Sequence, residues 1–279
     1  MLISITVLIT FNSSFWSGLM DMLSFEFMFG EHHVAPYGML VLCGLFLFSK
    51  RKELKEEAAR GGPGKKHLYI AGGVVLIAAA FFIPDKMDFL ILKLAFVLTG
   101  SFAIVFGRVA KVPLLILLIY TVATTFPMII ANYAETGYAK TATIPMKGIA
   151  WILGLPLVVN DQLLNLSMST GDSITVLVTA ACAGPATMGV FLGLFALMYL
   201  DIPLPMKKAA ILFAFGITGT WLQSLVRILI ILGTGYSFGE DALWTAHFWT
   251  IYILFPVWYL VFAAVYFKLA GSKSMVKPV

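Results

Sequence analysis

Residues 209–232 read AAILFAFGITGTWLQSLVRILIIL, twenty-four positions with a single charge, Arg227. A hydrocarbon core about 30 Å thick is crossed by roughly 20 apolar residues in helical conformation, so this stretch reads as a transmembrane helix. The same pattern recurs along the chain. Hydropathy and helix breakers give eight candidate spans, at about 2–22, 34–49, 68–84, 88–107, 112–131, 182–200, 209–232 and 245–267. The expected fold class is therefore all-α: a polytopic membrane helix bundle of about eight transmembrane helices, forming one integral membrane domain over 1–279.

Composition agrees. Of 279 residues, 60% are hydrophobic and only 12% charged, and the mean hydropathy is +0.95. Fourteen acidic and nineteen basic side chains are too few to solvate a globule of this size. A soluble enzyme, a secreted disulfide scaffold and a disordered adaptor are excluded. The net charge of +5 is read as a topology signal, with no nucleic-acid partner expected. Cys43 and Cys182 form no CxxC pair, so no metal site and no cofactor are expected.

Basic residues set the orientation. Lys50, Arg51, Lys52, Lys55, Arg60, Lys65 and Lys66 crowd the 50–67 loop; Arg108, Lys111, Lys207 and Lys208 mark two more; Lys268, Lys273 and Lys277 form the tail. Alternating spans place all of them on one side, which the positive-inside rule makes cytoplasmic, together with both termini. His32, His33 and Pro36 stand at the mouth of the second span, and Gly61–Gly64 is a turn in the charged loop. The stretch 132–181 becomes an external segment. Within it, Gly148–Asn160 reads as an interfacial or re-entrant piece, too short for a span. Ile174, Val176 and Val178 alternate with Thr175, Leu177 and Thr179, which predicts a short extended run into Cys182.

The candidate chemistry lies in residues 182–267. Cys182 precedes Gly184 and Pro185 at the start of an apolar run; Pro suits a first helical turn, and a helix N-terminus favours a thiolate. Thr220, Gln223, Ser224 and Arg227 follow the spacing i, i+3, i+4, i+7, a polar stripe expected to line a wet cavity. An Arg at membrane depth costs about 2.5–3.5 kcal/mol on insertion scales. His247 opens the last span among aromatics. Each has a plain structural reading: a small thiol packed among Ala and Gly, a snorkelling cation, an interfacial imidazole. The topology, derived without reference to chemistry, carries all three to the external face on consecutive helices. A thiol, an imidazole and a guanidinium suit acyl transfer: the thiolate attacks a carbonyl, His moves protons, and the Arg fork takes the developing oxyanion. Amides beside Cys182 are a further candidate oxyanion donor. Cys43, inside the apolar run Met39–Phe48, has no base in reach.

Together these residues resemble the exosortase/archaeosortase family of membrane-embedded cysteine transpeptidases. Ala181-Cys182-Ala183-Gly184, Arg227 and His247, with successive members 45 and 20 positions apart, are similar to the family's A-C-[ST]-G, Arg and His. Leu153-Gly154-Leu155-Pro156 resembles its LG-[IL]-P element, and Pro36-Tyr37-Gly38 before a helix ending in Lys50-Arg51-Lys52 is similar to its early helix and basic exit. Ala183 and Ser224 depart from the usual hydroxyl residue and Asn. The resemblance implies catalytic Cys182, Arg227 and His247, supported by Thr220, Gln223, Ser224 and Gly184. It implies substrates that are exported proteins with a C-terminal motif, a transmembrane helix and a basic tail. Cleavage would pass through a Cys182 thioester, with transfer to an acceptor such as a membrane lipid; the small size favours an archaeosortase-like member. A transporter or scaffold would also be polytopic and would not need Cys182, and a purely hydrolytic membrane cysteine protease would release its product to water.

Overall fold

The computed structural model describes residues 13–22, 34–59, 66–84, 87–169 and 171–271. Residues 1–12 of the first expected span, His32 and His33, Arg60 through Lys65, and the tail lysines Lys273 and Lys277 lie outside the described residues. Helices predominate, as expected for a polytopic bundle. Among the described residues, four helices are long and apolar enough to cross a membrane: Phe89–Phe106, Lys111–Tyr133, Met206–Phe238 and Glu240–Gly271. Three shorter apolar helices, Pro36–Ser49, His67–Phe82 and Pro185–Asp201, match three other expected spans. The chain divides into two compact units, Met1–Val122 and Ala123–Val279.

The first unit contains α1 (Ser13–Met22), α2 (Val34–Ser49), α3 (Arg51–Ala59), α4 (Lys66–Phe82), α5 (Met87–Phe106), a 3-10 turn at Gly107–Ala110 and the first half of α6 (Lys111–Tyr133). The charged 50–67 stretch, expected as a loop, carries α3, because its Lys, Leu, Glu and Ala are strong helix formers. Arg51 ends the apolar α2, donating to the Phe48 carbonyl at 3.1 Å and lying 3.6 Å over the Phe48 ring. Helices α4 and α5 meet where Gly73 faces Gly100; a Cβ built on Gly100 would stand 2.7 Å from the Gly73 carbonyl oxygen. Small residues of this kind let membrane helices approach backbone to backbone.

The second unit runs from Ala123 through the end of α6 to α7 (Glu135–Ile152), β1 (Leu157–Asn160), β2 (Leu163–Ser167), β3 (Ser173–Leu177), α8 (Ala180–Ala183), α9 (Pro185–Asp201), α10 (Met206–Phe238) and α11 (Glu240–Gly271). The segment expected to be external is a helix and a three-stranded antiparallel meander in the order β1-β2-β3, more than one short extended run. Gly148–Asn160 divides between the end of α7 and strand β1. Leu164 and Leu166 of β2 are fully buried and pack with Ala142 and Met146 of α7 and Leu225, Ile228 and Leu232 of α10. A second core is aromatic, with Phe191 and Phe262 edge to face at 5.0 Å.

Helices α10 and α11 overrun the expected spans 209–232 and 245–267 at both ends. At 1.5 Å per residue, 33 and 32 residues make rods of about 50 Å, well beyond the hydrocarbon thickness. Their turn is at Gly239, whose φ of +90° suits glycine alone. The amide of Gly239 closes on the Gly235 carbonyl at 3.0 Å, and Gly235 packs against Leu243.

Candidate active site

Strand β3 delivers the thiol. Its even-numbered residues Ile174, Val176 and Val178 pack on the helix-sheet core, while Ser173, Thr175 and Leu177 are exposed, the period-two pattern expected for a half-buried strand. After Val178 the chain makes the single turn α8, which holds Cys182 half-buried. Gly184 then takes φ +91° and separates α8 from α9, which Pro185 begins. Only glycine fits here, for two reasons. The conformation is left-handed, and a Cβ would strike the Ser224 hydroxyl of α10 and come within 3.0 Å of Thr187 Oγ1. Ser224 is thereby the floor on which the joint rests, and Thr187 fastens the same joint by donating to the Gly184 carbonyl at 2.7 Å. Ala183 is buried in the core cluster.

The amides next to the thiol are already engaged. Those of Cys182 and Ala183 both donate to the Thr179 carbonyl, at 3.1 and 3.2 Å, so they do not serve as the oxyanion donors expected from the sequence. Cys182 sits in its own short turn and not on the N-terminus of the long helix, because the Gly184 joint intervenes. Thr179 contributes further: its hydroxyl leaves the helix cap uncapped and donates to Cys182 Sγ at 3.6 Å. A donor on sulfur limits its rotation.

Arg227 is not a snorkelling anchor. It is 5% exposed, eleven positions before the end of α10, about 16 Å along the helix from the turn. Nε donates to Thr250 Oγ1 at 3.3 Å and Nη2 to the His247 carbonyl at 3.1 Å, tying α10 to α11. The Thr250 hydroxyl in turn donates to the same carbonyl at 3.3 Å. His247 lies about two turns inside α11 instead of opening it, with the Trp244 ring edge-on at 5.7 Å.

Cys182, Arg227 and His247 line one cavity of about 190 Å³, together with Thr175 to Val178 of β3 and an apolar wall that includes Ile231, Leu232 and Leu243. Of the expected polar stripe, Arg227 alone reaches this cavity. Thr220 and Ser224 are buried in a packing seam: Thr220 donates to the Gly216 carbonyl and accepts from Trp258 Nε1 at 3.0 Å, and Ser224 donates to the Thr220 carbonyl at 3.2 Å. Gln223 is half-buried and also outside the lining. The sequence pattern singled out Thr179 only as part of the extended run and did not single out Thr250. Their signal was there, as each is a hydroxyl three positions from a candidate catalytic residue, on helical spacing.

A family model described as transmembrane exosortase matches residues 31–266. This chain belongs to the transmembrane exosortase family. No curated protein and no solved structure matches it. Exosortases are membrane transpeptidases of protein sorting and act on exported proteins that carry C-terminal sorting signals. The matched region takes in α2 through most of α11, and with them every residue of the cavity.

Proposed function

We propose that this exosortase cleaves a C-terminal sorting signal through a thioester on Cys182 and passes the new C-terminus to an acceptor. One observation carries the reading: a thiol, a guanidinium and an imidazole from three helices line a single small cavity. In the first half-reaction the Cys182 sulfur attacks the scissile carbonyl and its proton goes to His247. The C–N bond then breaks as His247 returns the proton to the leaving amine, so the thioester forms without net proton loss. Arg227 is the donor for the tetrahedral oxyanion, the neighbouring amides being engaged by Thr179. In the second half-reaction an acceptor nucleophile, an amine or a lipid head-group hydroxyl, yields its proton to His247 as the C–S bond breaks and the thiolate is restored.

The substrate is an exported protein ending in a short motif, one transmembrane helix and a basic cluster, and the favoured relatives are archaeosortase-like. In the proposed orientation both termini and the 50–67 stretch are cytoplasmic and the cavity opens externally, supported by the basic asymmetry of the loops. Labelling of a single cysteine at Tyr138 from the cytoplasmic side alone would reverse that orientation. The central test is mass spectrometry of a signal-bearing protein co-expressed with wild-type enzyme or Cys182→Ala. Wild type gives a truncated product with the acceptor's added mass, and Cys182→Ala leaves the precursor. A product carrying only water reassigns the enzyme as a hydrolase, and normal product from Cys182→Ala removes the thioester.

A further inference from the structure

Strand β3 has one partner. The sheet order is β1-β2-β3, and β2 pairs with β3 from Leu163↔Leu177 to Ser167↔Ser173. The Val178 amide donates to the Gln162 carbonyl at 2.8 Å, which fixes the phase of the ladder. Hydrogen-bonded and open positions alternate in an antiparallel pair, so 174, 176 and 178 turn their backbone groups to β2. Ser173, Thr175 and Leu177 turn theirs to the opposite edge. Among the described residues no strand occupies that edge. Free strand edges are templates for pairing, and proteins commonly blunt or cover them. This edge instead borders the cavity: Thr175, Val176, Leu177 and Val178 line it together with Cys182, Arg227 and His247.

We propose that the outer edge of β3 receives the motif of the sorting signal as an added fourth strand, which carries the scissile carbonyl past Leu177 to Cys182. The inference rests on Cys182 being the nucleophile, and it adds the mode of substrate recognition. Two arguments favour an extended occupant over a helical one. A helix satisfies its own backbone and would leave the amides and carbonyls of Thr175 and Leu177 unpaired as it covered them, whereas an extended segment pairs with both. A carbonyl inside a helix also has its lone pair engaged, while in a strand every second carbonyl is directed away from the ladder. Main-chain pairing supplies affinity that tolerates sequence change, and side chains at alternate positions are read by pockets. The pocket on this face, with Leu164, Ile231, Leu232 and Leu243, selects an apolar side chain at one such position.

Cross-linking tests the register. Leu177 is 53% exposed, so Leu177→Cys is accessible. In a Cys43→Ala, Cys182→Ala background it is combined with a signal-bearing protein whose motif is scanned with single cysteines, and disulfide trapping is measured in membranes where the enzyme accumulates. An added strand gives trapping maxima two residues apart. Maxima three or four apart, uniform trapping, or none overturn the proposal. A second variant keeps Cys182: Leu177→Pro deletes an amide that β2 does not use, at the kind of edge position where proline is tolerated. KM for the signal-bearing protein is expected to rise about tenfold, the scale of one lost hydrogen bond, with kcat and the rate of Cys182 alkylation unchanged. Unchanged KM with unchanged alkylation overturns strand addition and leaves the nucleophile assignment standing. Normal processing by Cys182→Ala overturns the nucleophile instead, whatever the trapping pattern.

Discussion

The two cysteines occupy two cavities, and the contrast separates space from chemistry. Cys43 borders a cavity of about 320 Å³ in the first unit, walled by Leu40, Ile91, Leu98, Ile116 and Tyr120 among others, with no charged residue in its lining. Cys182 borders one of about 190 Å³ in the second unit, where a guanidinium and an imidazole share the wall. The larger cavity is the poorer reaction site. A thiol becomes a nucleophile through a base and an electropositive neighbour, and volume supplies neither. The helix pairs of the two units differ in the same sense. Gly73 and Gly100 bring α4 and α5 into backbone contact, whereas α10 and α11 are joined by Thr220 with Trp258 and by Arg227 with Thr250 and His247.

Exchange of the cysteines gives the largest expected difference. Cys43→Ala should process a signal-bearing protein at the wild-type rate, while Cys182→Ala in the same assay should give no product; comparable losses from both would erase the distinction. Next in size is Arg227→Lys. Lys keeps the charge but replaces a planar fork by a point donor, and loss of one oxyanion donor costs roughly 10² to 10³ in rate. A fall of at least about 100-fold in kcat is expected with normal accumulation in the membrane. Near-wild-type turnover would make Arg227 a packing residue.

Thr250→Val comes third. It removes the acceptor of Arg227 Nε, a hydrogen bond to a charged group, and should lower kcat about tenfold or somewhat more at unchanged KM. Thr250→Ser, which keeps the hydroxyl, should restore the rate; failure of Ser to rescue would assign the loss to packing. Gly100→Ala should leave turnover per folded molecule untouched. Its Cβ presses on the Gly73 carbonyl and on Ile77, and such overpacking costs about 1–3 kcal/mol. The expected readout is a lower thermal midpoint in detergent with kcat preserved, so a fall in kcat would extend the chemistry into the first unit.

The spans were legible in the sequence because hydropathy registers contact with lipid, but their ends were not. Apolar counting stops near Leu232, whereas α10 continues to Phe238 on backbone hydrogen bonds that hydropathy does not sense. That Cys182, Arg227 and His247 would meet was legible because they are unusual residues at matching ends of consecutive spans. The sheet was only partly so. Its last strand shows clean alternation, but Leu157–Asn160 is apolar and four residues long, and passes equally for interfacial chain. A turn signal stood beside it: Asn160 pairs with Leu163 across a two-residue turn, and Asp161 takes φ +55°, a conformation Asp tolerates better than most residues. Thr220 and Ser224 were misread because helical spacing identifies a face without naming what covers it. A stripe opposite Trp258 and Gly184 becomes a seam and not a channel.

The joint at Gly184 has a consequence for how such an enzyme diversifies. Strand β3, the thiol and the joint are consecutive in the chain, from Ser173 to Gly184, while Arg227 and His247 belong to helices whose composition is also constrained by the bilayer. Under the proposed strand addition, changes in the strand retune which signal is accepted without altering the hydropathy of any span. The contacts of Gly184 with Ser224 and Thr187 fix the far end of that segment to the bundle. With strand addition as proposed, specificity drifts through a dozen contiguous residues, and a graft of that stretch between related enzymes would carry the thiol along with the proposed reading edge.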